Sequence, residues 1–431
     1  MKVRITAHVE RAATRFVETL MIDEPAILVE GPRGSGKSTL LRGIAAARDG
    51  FLLDLDEPAT ARQVAEDPSG VVGGRPGLVF IDEYERVPEV LSVVKREVDR
   101  DGRPGRFLLA GSVSGRLLPL GSETLTGRSR RLVLSPLSAG EVLGATAPLL
   151  AQLLATGAPP RVDSDLTRRD YFELVAAGGY PAALARPTDQ ARRRWHASYL
   201  ATVADRDIGE LVEVRHPGAL AGLYRLIAEQ TSSVVTRSAV AQRLGLNPAT
   251  SRSYLDLLDQ VFLIGELPGW TVGVSAKVGR RPKLYVTDTG LGAAAIQLDA
   301  SRLAAAAVGG SFLESFVVNE LAKQAAVIDE PLVLAHFRDR SGVEVDVLVE
   351  RSDGSVFGFE VKSATTANAR DAAGLRFLRD RLGDRFVAGI VLHTGLLTAN
   401  LGDRLWALPV AGLWSGPESA ELRSNDMGHT A

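Results

Sequence analysis

Eight residues constrain this chain more than any others: Gly31-Pro32-Arg33-Gly34-Ser35-Gly36-Lys37-Ser38 follows the apolar run AILVE (26–30) and opens a helical pattern. The run fits G-x-x-x-x-G-K-[ST] at every fixed position, and strand, glycine turn and helix are the context that motif requires. Glycines at 31, 34 and 36 let the backbone curl until successive N–H groups and the helix N-terminus face one point, an arrangement that holds phosphate. Gly31 to Ser38, with Thr39 as a secondary neighbour, therefore form the expected cradle for ATP. Lys37 is expected to reach the β and γ phosphates, and Ser38 to hold Mg2+ through its hydroxyl.

A second element belongs with the first. LVFIDE (78–83) is an apolar strand ending in two carboxylates, at the edge where a parallel sheet places its ligands. Asp82 is expected in the magnesium shell, and Glu83 to orient or deprotonate the attacking water. Ser112 closes the strand RFLLAGS (106–112), from which it could sense the γ phosphate. Arg128, in LTGR (125–128), is the preferred cation for transition-state charge, in cis or from a neighbouring subunit, with Arg116 next.

The first 140 residues alternate such apolar runs with helical patterns, which implies a parallel sheet covered on both faces. Residues 141–230 read as a helical lid or linker. Within 231–300, two short helices joined by Gly245-Leu246-Asn247 give a helix-turn-helix pattern, with Asn247 at the cap and Pro248 at the first helical position. Its second helix is expected to present Ser251, Arg252, Tyr254 and Asp256 outward. Residues 301–412 read as a small mixed α/β unit, and 413–431 as a polar, disordered tail. Val142 to Pro160 is uncharged, but its prolines and glycines favour a buried or lid helix over a membrane span.

Composition narrows the function. Fifty basic against 52 acidic residues, net −2, leave no global basic field, so any nucleic-acid contact must be local. Arg237, Arg243 and Arg252 offer a modest patch, and Lys277, Arg280, Arg281 and Lys283 a better one. The absence of cysteine removes disulfides, thiolate catalysis and cysteine-based zinc sites, and agrees with a cytoplasmic protein. The first residues carry charges where a secretion signal needs an apolar core.

Phosphate loop, acidic strand end, Gly-Ser strand and Thr-Gly-Arg together resemble the AAA+ class of ATPases. More narrowly, GPRGSGKSTL, FIDEYERVPE, LAGS and LTGR, with GGYP (178–181), RPKLYVTDTGL (281–291), FLESFVVNEL (312–321), EVDVLVE (344–350) and FEVKSA (359–364), resemble a prokaryotic AAA+ family whose C-terminal half is a domain of unknown function. The resemblance implies a three-layer αβα P-loop domain with Walker A and Walker B motifs, a winged-helix element, and a C-terminal core similar to restriction-endonuclease folds. It departs from the wider class at Ser112, where many AAA+ proteins carry asparagine.

Glu360 and Lys362 lie two apart on an apparent strand and share a face, with Asp346 on the preceding strand and Glu314 on an earlier helix. The grouping resembles the PD-(D/E)xK arrangement, in which Asp346 and Glu360 would bind magnesium, Lys362 would activate hydroxide and Glu314 would act as an outer acid. A cross-strand ion pair on a solvated face is the competing reading. Three functions stay open: an ATPase coupled to DNA or RNA, a slow nucleotide-dependent switch acting on a protein or promoter, and an ATP-gated metal-dependent nuclease. The expected partners are nucleic acid or protein, without a membrane. An arginine acting in trans would add a homo-oligomer.

Overall fold

The structure is a computed structural model, and it describes residues 3–114, 125–145, 147–204, 208, 217–234, 237–271 and 281–415. The chain forms two compact units. One comprises Glu10–Leu137 with Asp256–Leu263, and the other Met1–Val9, Ser138–Leu255 and Ile264–Ala431.

The first unit is built on five strands: β1 (Ala26–Glu30), β2 (Phe51–Asp54), β3 (Val79–Asp82), β4 (Phe107–Gly111) and β5 (Arg130–Val133). They lie in the order β2-β3-β4-β1-β5, every pair parallel. The three central strands are buried at every position, as continuous apolar runs demand when both faces are covered. Strands β2 and β5, at the two edges, are only partly buried. The helix Val90–Arg100 buries Val90, Leu91, Val93, Val94 and Val98, a stripe at helical spacing, and turns its charged residues outward. Strand order sets the site: the C-terminal ends of β3, β4 and β1 stand side by side, so Asp82, Ser112 and the glycine loop converge.

The second unit holds the hairpin β6 (Ile264–Leu267) and β7 (Lys283–Val286), and a six-stranded sheet in the order β12-β13-β11-β10-β9-β8. Its strands are β8 (Val333–Arg338), β9 (Glu344–Glu350), β10 (Val356–Lys362), β11 (Phe386–His393), β12 (Ala399–Gly402) and β13 (Leu405–Pro409). β8, β9 and β10 form an antiparallel meander, and β11 joins β10 in parallel after the helix Ala373–Leu382. Phe337, Val345, Leu348, Leu375 and Phe386 fill the core beneath them.

The uncharged stretch after residue 141 forms no span: no helix among the described residues is long and apolar enough to cross a membrane. Its helices Ala139–Leu143 and Leu149–Thr156 are tied to the helix Gly309–Ala326, where Glu320 accepts the Ala139 N–H (3.0 Å) and Gln324 the Leu150 N–H (2.9 Å). GGYP and TDTG also meet, since Asp288 accepts N–H bonds from Gly179 (2.7 Å) and Leu291 (2.8 Å) and caps the helix Thr289–Ala295.

Three expectations are corrected. Ser251 and Tyr254 are buried, because they fall on the stripe of the helix Pro248–Gln260 shared with Leu255 and Leu258; Arg252 and Asp256 do face outward. Leu413 and Trp414 are buried, so they are not part of a tail; residues 416–431 lie outside the described residues. Lys283 is 4% exposed and cannot belong to a surface basic patch. Lys277, Arg280 and Arg116 lie outside the described residues.

Candidate active site

The loop between β1 and the helix Lys37–Ala46 is shaped by glycine. Gly31 has φ +154°, and a Cβ there would stand 2.3 Å from the Leu134 carbonyl oxygen, so no side chain fits. Gly36 caps the helix in the left-handed region (φ 101°), a conformation costly for residues with a Cβ. Pro32 and Ser35 are buried, whereas Arg33, Gly34 and Thr39 are exposed.

Lys37 is 3% exposed, and its ammonium donates to Gly31 O (2.8 Å), Pro32 O (3.1 Å) and Ser112 Oγ (3.2 Å). Burial pushes its pKa below the ordinary value of 10.5, against the opposing pull of Glu83, Glu85 and Asp82. Ser112 Oγ in turn donates to Glu83 Oε1 (2.9 Å), so Lys37, Ser112 and Glu83 form one polar chain. Glu83 sits at φ 51°, a turn that ends β3 and starts the short helix Tyr84–Arg86. Tyr84, fully buried, donates to Glu30 Oε1 (2.8 Å) and packs where any Cβ on Gly111 would collide with it.

Ser38 Oγ donates to Asp82 Oδ1 at 3.0 Å. In an octahedral shell with bonds of ~2.1 Å, adjacent ligand oxygens stand about 3 Å apart, so this pair has the spacing a magnesium ion needs. Arg42 fixes the other oxygen, Asp82 Oδ2 (3.2 Å), and also binds Asp54 (2.6 Å). Burial is the main influence raising the Asp82 pKa, while Ser38 and Arg42 oppose it.

Sequence reasoning missed Arg42 and two further contributors. Glu85 accepts the Ser112 N–H (2.7 Å), and burial, then the Glu83 carboxylate, push its pKa up to about 8. The spacing Glu83-x-Glu85 in FIDEYE was the available signal. Arg11, which precedes the helix Ala12–Asp23, donates to Ser35 O (2.7 Å) and Ser135 O (2.8 Å), bracing the loop from outside. Nothing local in the sequence marks it.

Arg128 is not brought to this site. It precedes β5, whose Arg130 pairs with Ile27 near the start of β1, so it lies at the sheet edge opposite the loop. There it forms an ion pair with Asp99.

The C-terminal residues Glu314, Asp346, Glu360 and Lys362 do come together, but around a second lysine. Lys283 Nζ stands 2.8 Å from Glu314, 2.8 Å from Glu344 and 3.5 Å from Asp346. Lys362 pairs with Glu360 Oε1 (2.7 Å), and Asp346 Oδ2 accepts the Val361 N–H (2.9 Å). Among the described residues no group of three or more His, Cys, Asp and Glu has the geometry to hold a metal ion.

A parallel sheet of this order carrying a Walker loop, an acidic strand end and a buried loop lysine defines a P-loop ATPase of the AAA type. The family described as an AAA domain matches residues 23–143, and two described as domains of unknown function, DUF8612 and DUF4143, match 168–302 and 309–413. Uncharacterized proteins of Mycobacterium tuberculosis and Mycobacterium bovis are each 30% identical to this chain over 390 residues, covering 89% of it and 80% of each of them. The chain belongs to their family, and in this chain the AAA domain precedes the DUF4143 domain. Among solved structures it is similar to the Walker-type ATPase PABY2304 of Pyrococcus abyssi, with TM-score 0.43, 16% identity, and 68% of this chain and 97% of that one covered. It is also similar to the RuvB Holliday junction branch migration motor of Thermotoga maritima, with TM-score 0.30, 17% identity and coverage of 62% and 94%.

Proposed function

We propose that this ATPase hydrolyses ATP with Mg2+ at the loop of residues 31–39 and couples turnover to the binding or processing of nucleic acid. The observation that carries the hydrolytic part is the polar chain Lys37–Ser112–Glu83 beside the Ser38–Asp82 pair. The loop N–H groups and the Lys37 ammonium hold the β and γ phosphates. Ser38 and Asp82 would hold magnesium, which when bound neutralises charge on the phosphate oxygens. Glu83 takes the proton as water oxygen bonds to the γ phosphorus and the bond to the bridging oxygen of ADP breaks. Ser112, hydrogen-bonded to both Lys37 and Glu83, positions the base and reads the γ phosphate. Arg128, on the far sheet edge, serves a neighbouring subunit's site, which makes the working form a homo-oligomer.

The nucleic-acid part rests on the helices Arg237–Leu244 and Pro248–Gln260 followed by the β6–β7 hairpin, an order that supports a winged-helix reading. In the C-terminal module, helix, three-stranded meander, helix and parallel strand support a restriction-endonuclease-like reading. The test is ATP turnover across single-stranded, duplex and branched DNA and RNA. Stimulation by at least one of them is expected, and indifference to all of them rejects the coupling.

One feature favours the slower switch as a second reading. Glu83 is held by Ser112, with the carboxyl of Glu85 beside it, so the base must be released before it can work. A switch would turn over slowly with or without nucleic acid and would change partner affinity between its ATP and ADP forms.

A further inference from the structure

We infer that Lys283 is the resident cation of the C-terminal carboxylate cluster, and that the cluster is an ion group fastening the β6–β7 hairpin to the sheet rather than a divalent-metal centre. This goes beyond the ATPase reading and does not depend on it. Glu314 comes from the helix Gly309–Ala326, Glu344 and Asp346 from β9, and Glu360 and Lys362 from β10. All of these but Glu344 are the residues expected to assemble a nuclease-like metal site, with Asp346 and Glu360 as its magnesium ligands.

A divalent ion shared by Glu314, Glu344 and Asp346 would need to stand ~2.1 Å from their oxygens. Lys283 Nζ fills that position, 2.8, 2.8 and 3.5 Å from the same three side chains. Three further oxygens of the cluster are engaged, whereas Glu360 Oε2 is buried without a hydrogen-bond partner. Asp346 Oδ2 takes the Val361 N–H (2.9 Å), Glu360 Oε1 takes Lys362 (2.7 Å), and Glu344 Oε2 faces Arg338 (3.8 Å). Burial lowers the Lys283 pKa, but Glu314 and Asp346 outweigh it, so the net shift is upward and the ammonium stays charged. Burial and then Asp346 push the Glu314 and Glu360 pKa values up, to about 8 and about 7.

Lys283 is also held in place by its backbone. It pairs with Leu267 in the hairpin, and the next residue, Leu284, donates to Ser233 O (3.0 Å). The same hairpin covers the edge of β8: His336 N–H donates to Pro268 O (2.8 Å), Trp270 N–H to His336 O (2.6 Å), and His336 Nε2 to Arg281 O (3.1 Å). The Lys283 backbone therefore cannot move without breaking a strand pairing and uncovering a sheet edge.

The test uses the full chain carrying Asp82→Asn, which removes the magnesium position of the nucleotide site, and no nucleotide. Mn2+ is titrated and followed by electron paramagnetic resonance. The expected result is no Mn2+ binding that a further Asp346→Asn abolishes; micromolar binding that Asp346→Asn removes overturns the inference. A second arm measures urea unfolding of Lys283→Met, Glu314→Gln and the double variant. Coupling of at least tenfold in the unfolding constant, with Glu314→Gln relieving part of the damage of Lys283→Met, is expected. Additive effects overturn the inference. The Mn2+ arm leaves Lys283 in place, so it stands even if the Lys283→Met protein folds poorly.

Discussion

Lys37, Ser112 and Glu83 form a chain in which each residue has a separable task. Glu83→Gln keeps the shape and the hydrogen bond but removes the base, so ATP should still bind while turnover falls by about 10²- to 10⁴-fold; calorimetry beside a phosphate-release assay checks both halves. Ser112→Ala removes the hydroxyl that joins Lys37 to Glu83, two bonds to charged groups of about 1.5–3 kcal/mol each, so on the hydrolytic reading turnover should fall by at least roughly 10-fold. Glu85 makes a pH prediction. Its pKa rises from 4.5 to about 8 in the folded protein, so the folded state binds more protons between those values, and stability conferred by the protonated form is lost as pH rises through about 8. Glu85→Gln keeps the group neutral and should flatten the dependence of melting temperature on pH from 5 to 9, which calorimetry at a series of pH values reads directly.

At the level of elements, the glycine loop and the Asp288 cap are the two most intolerant local structures. A methyl at Gly31 meets the Leu134 carbonyl at 2.3 Å, so Gly31→Ala must move the loop against β5 and its extension, and loss of measurable ATP binding in a folded protein is the expected outcome. Asp288 satisfies the Gly179 and Leu291 N–H groups at once, both buried. Asp288→Ala leaves two donors unpaired and should lower unfolding free energy by about 2–4 kcal/mol, while Asp288→Asn, which keeps one acceptor oxygen, should cost less. Urea midpoints of the two variants give that ordering.

For the whole molecule, the remote placement of Arg128 leads to a mixing experiment. Lys37→Ala and Arg128→Ala subunits are each expected to be inactive, yet mixed together they should recover part of the turnover, because some interfaces then pair an intact loop with an intact arginine. Silence after subunit exchange, verified by light scattering, rejects action in trans. The first unit also draws on distant chain: Asp256–Leu263 belongs to it, and Gln260 O accepts the Ser114 N–H (2.9 Å). A fragment of residues 10–137 should therefore melt at a lower temperature than the same unit in the full chain.

The sequence by itself determined the phosphate loop, the strands at 26–30, 78–83 and 106–112 to within a few residues, the acidic end of β3 and the helix-then-strands order that carries Glu314, Asp346 and Glu360, but not β12 and β13. Each of these depends on neighbours a few positions apart, where glycine content, apolar period and caps act directly on the backbone. Only the tertiary structure decided that Arg11 braces the loop, that Glu85 shares the Glu83 environment, that Arg128 lies on the far edge, and that Lys283 enters the carboxylate cluster. The reason is range. Lys283 lies 31 positions from Glu314 and 63 from Asp346 in the chain, so its partner oxygens are chosen by strand order and hairpin placement, which no local pattern encodes.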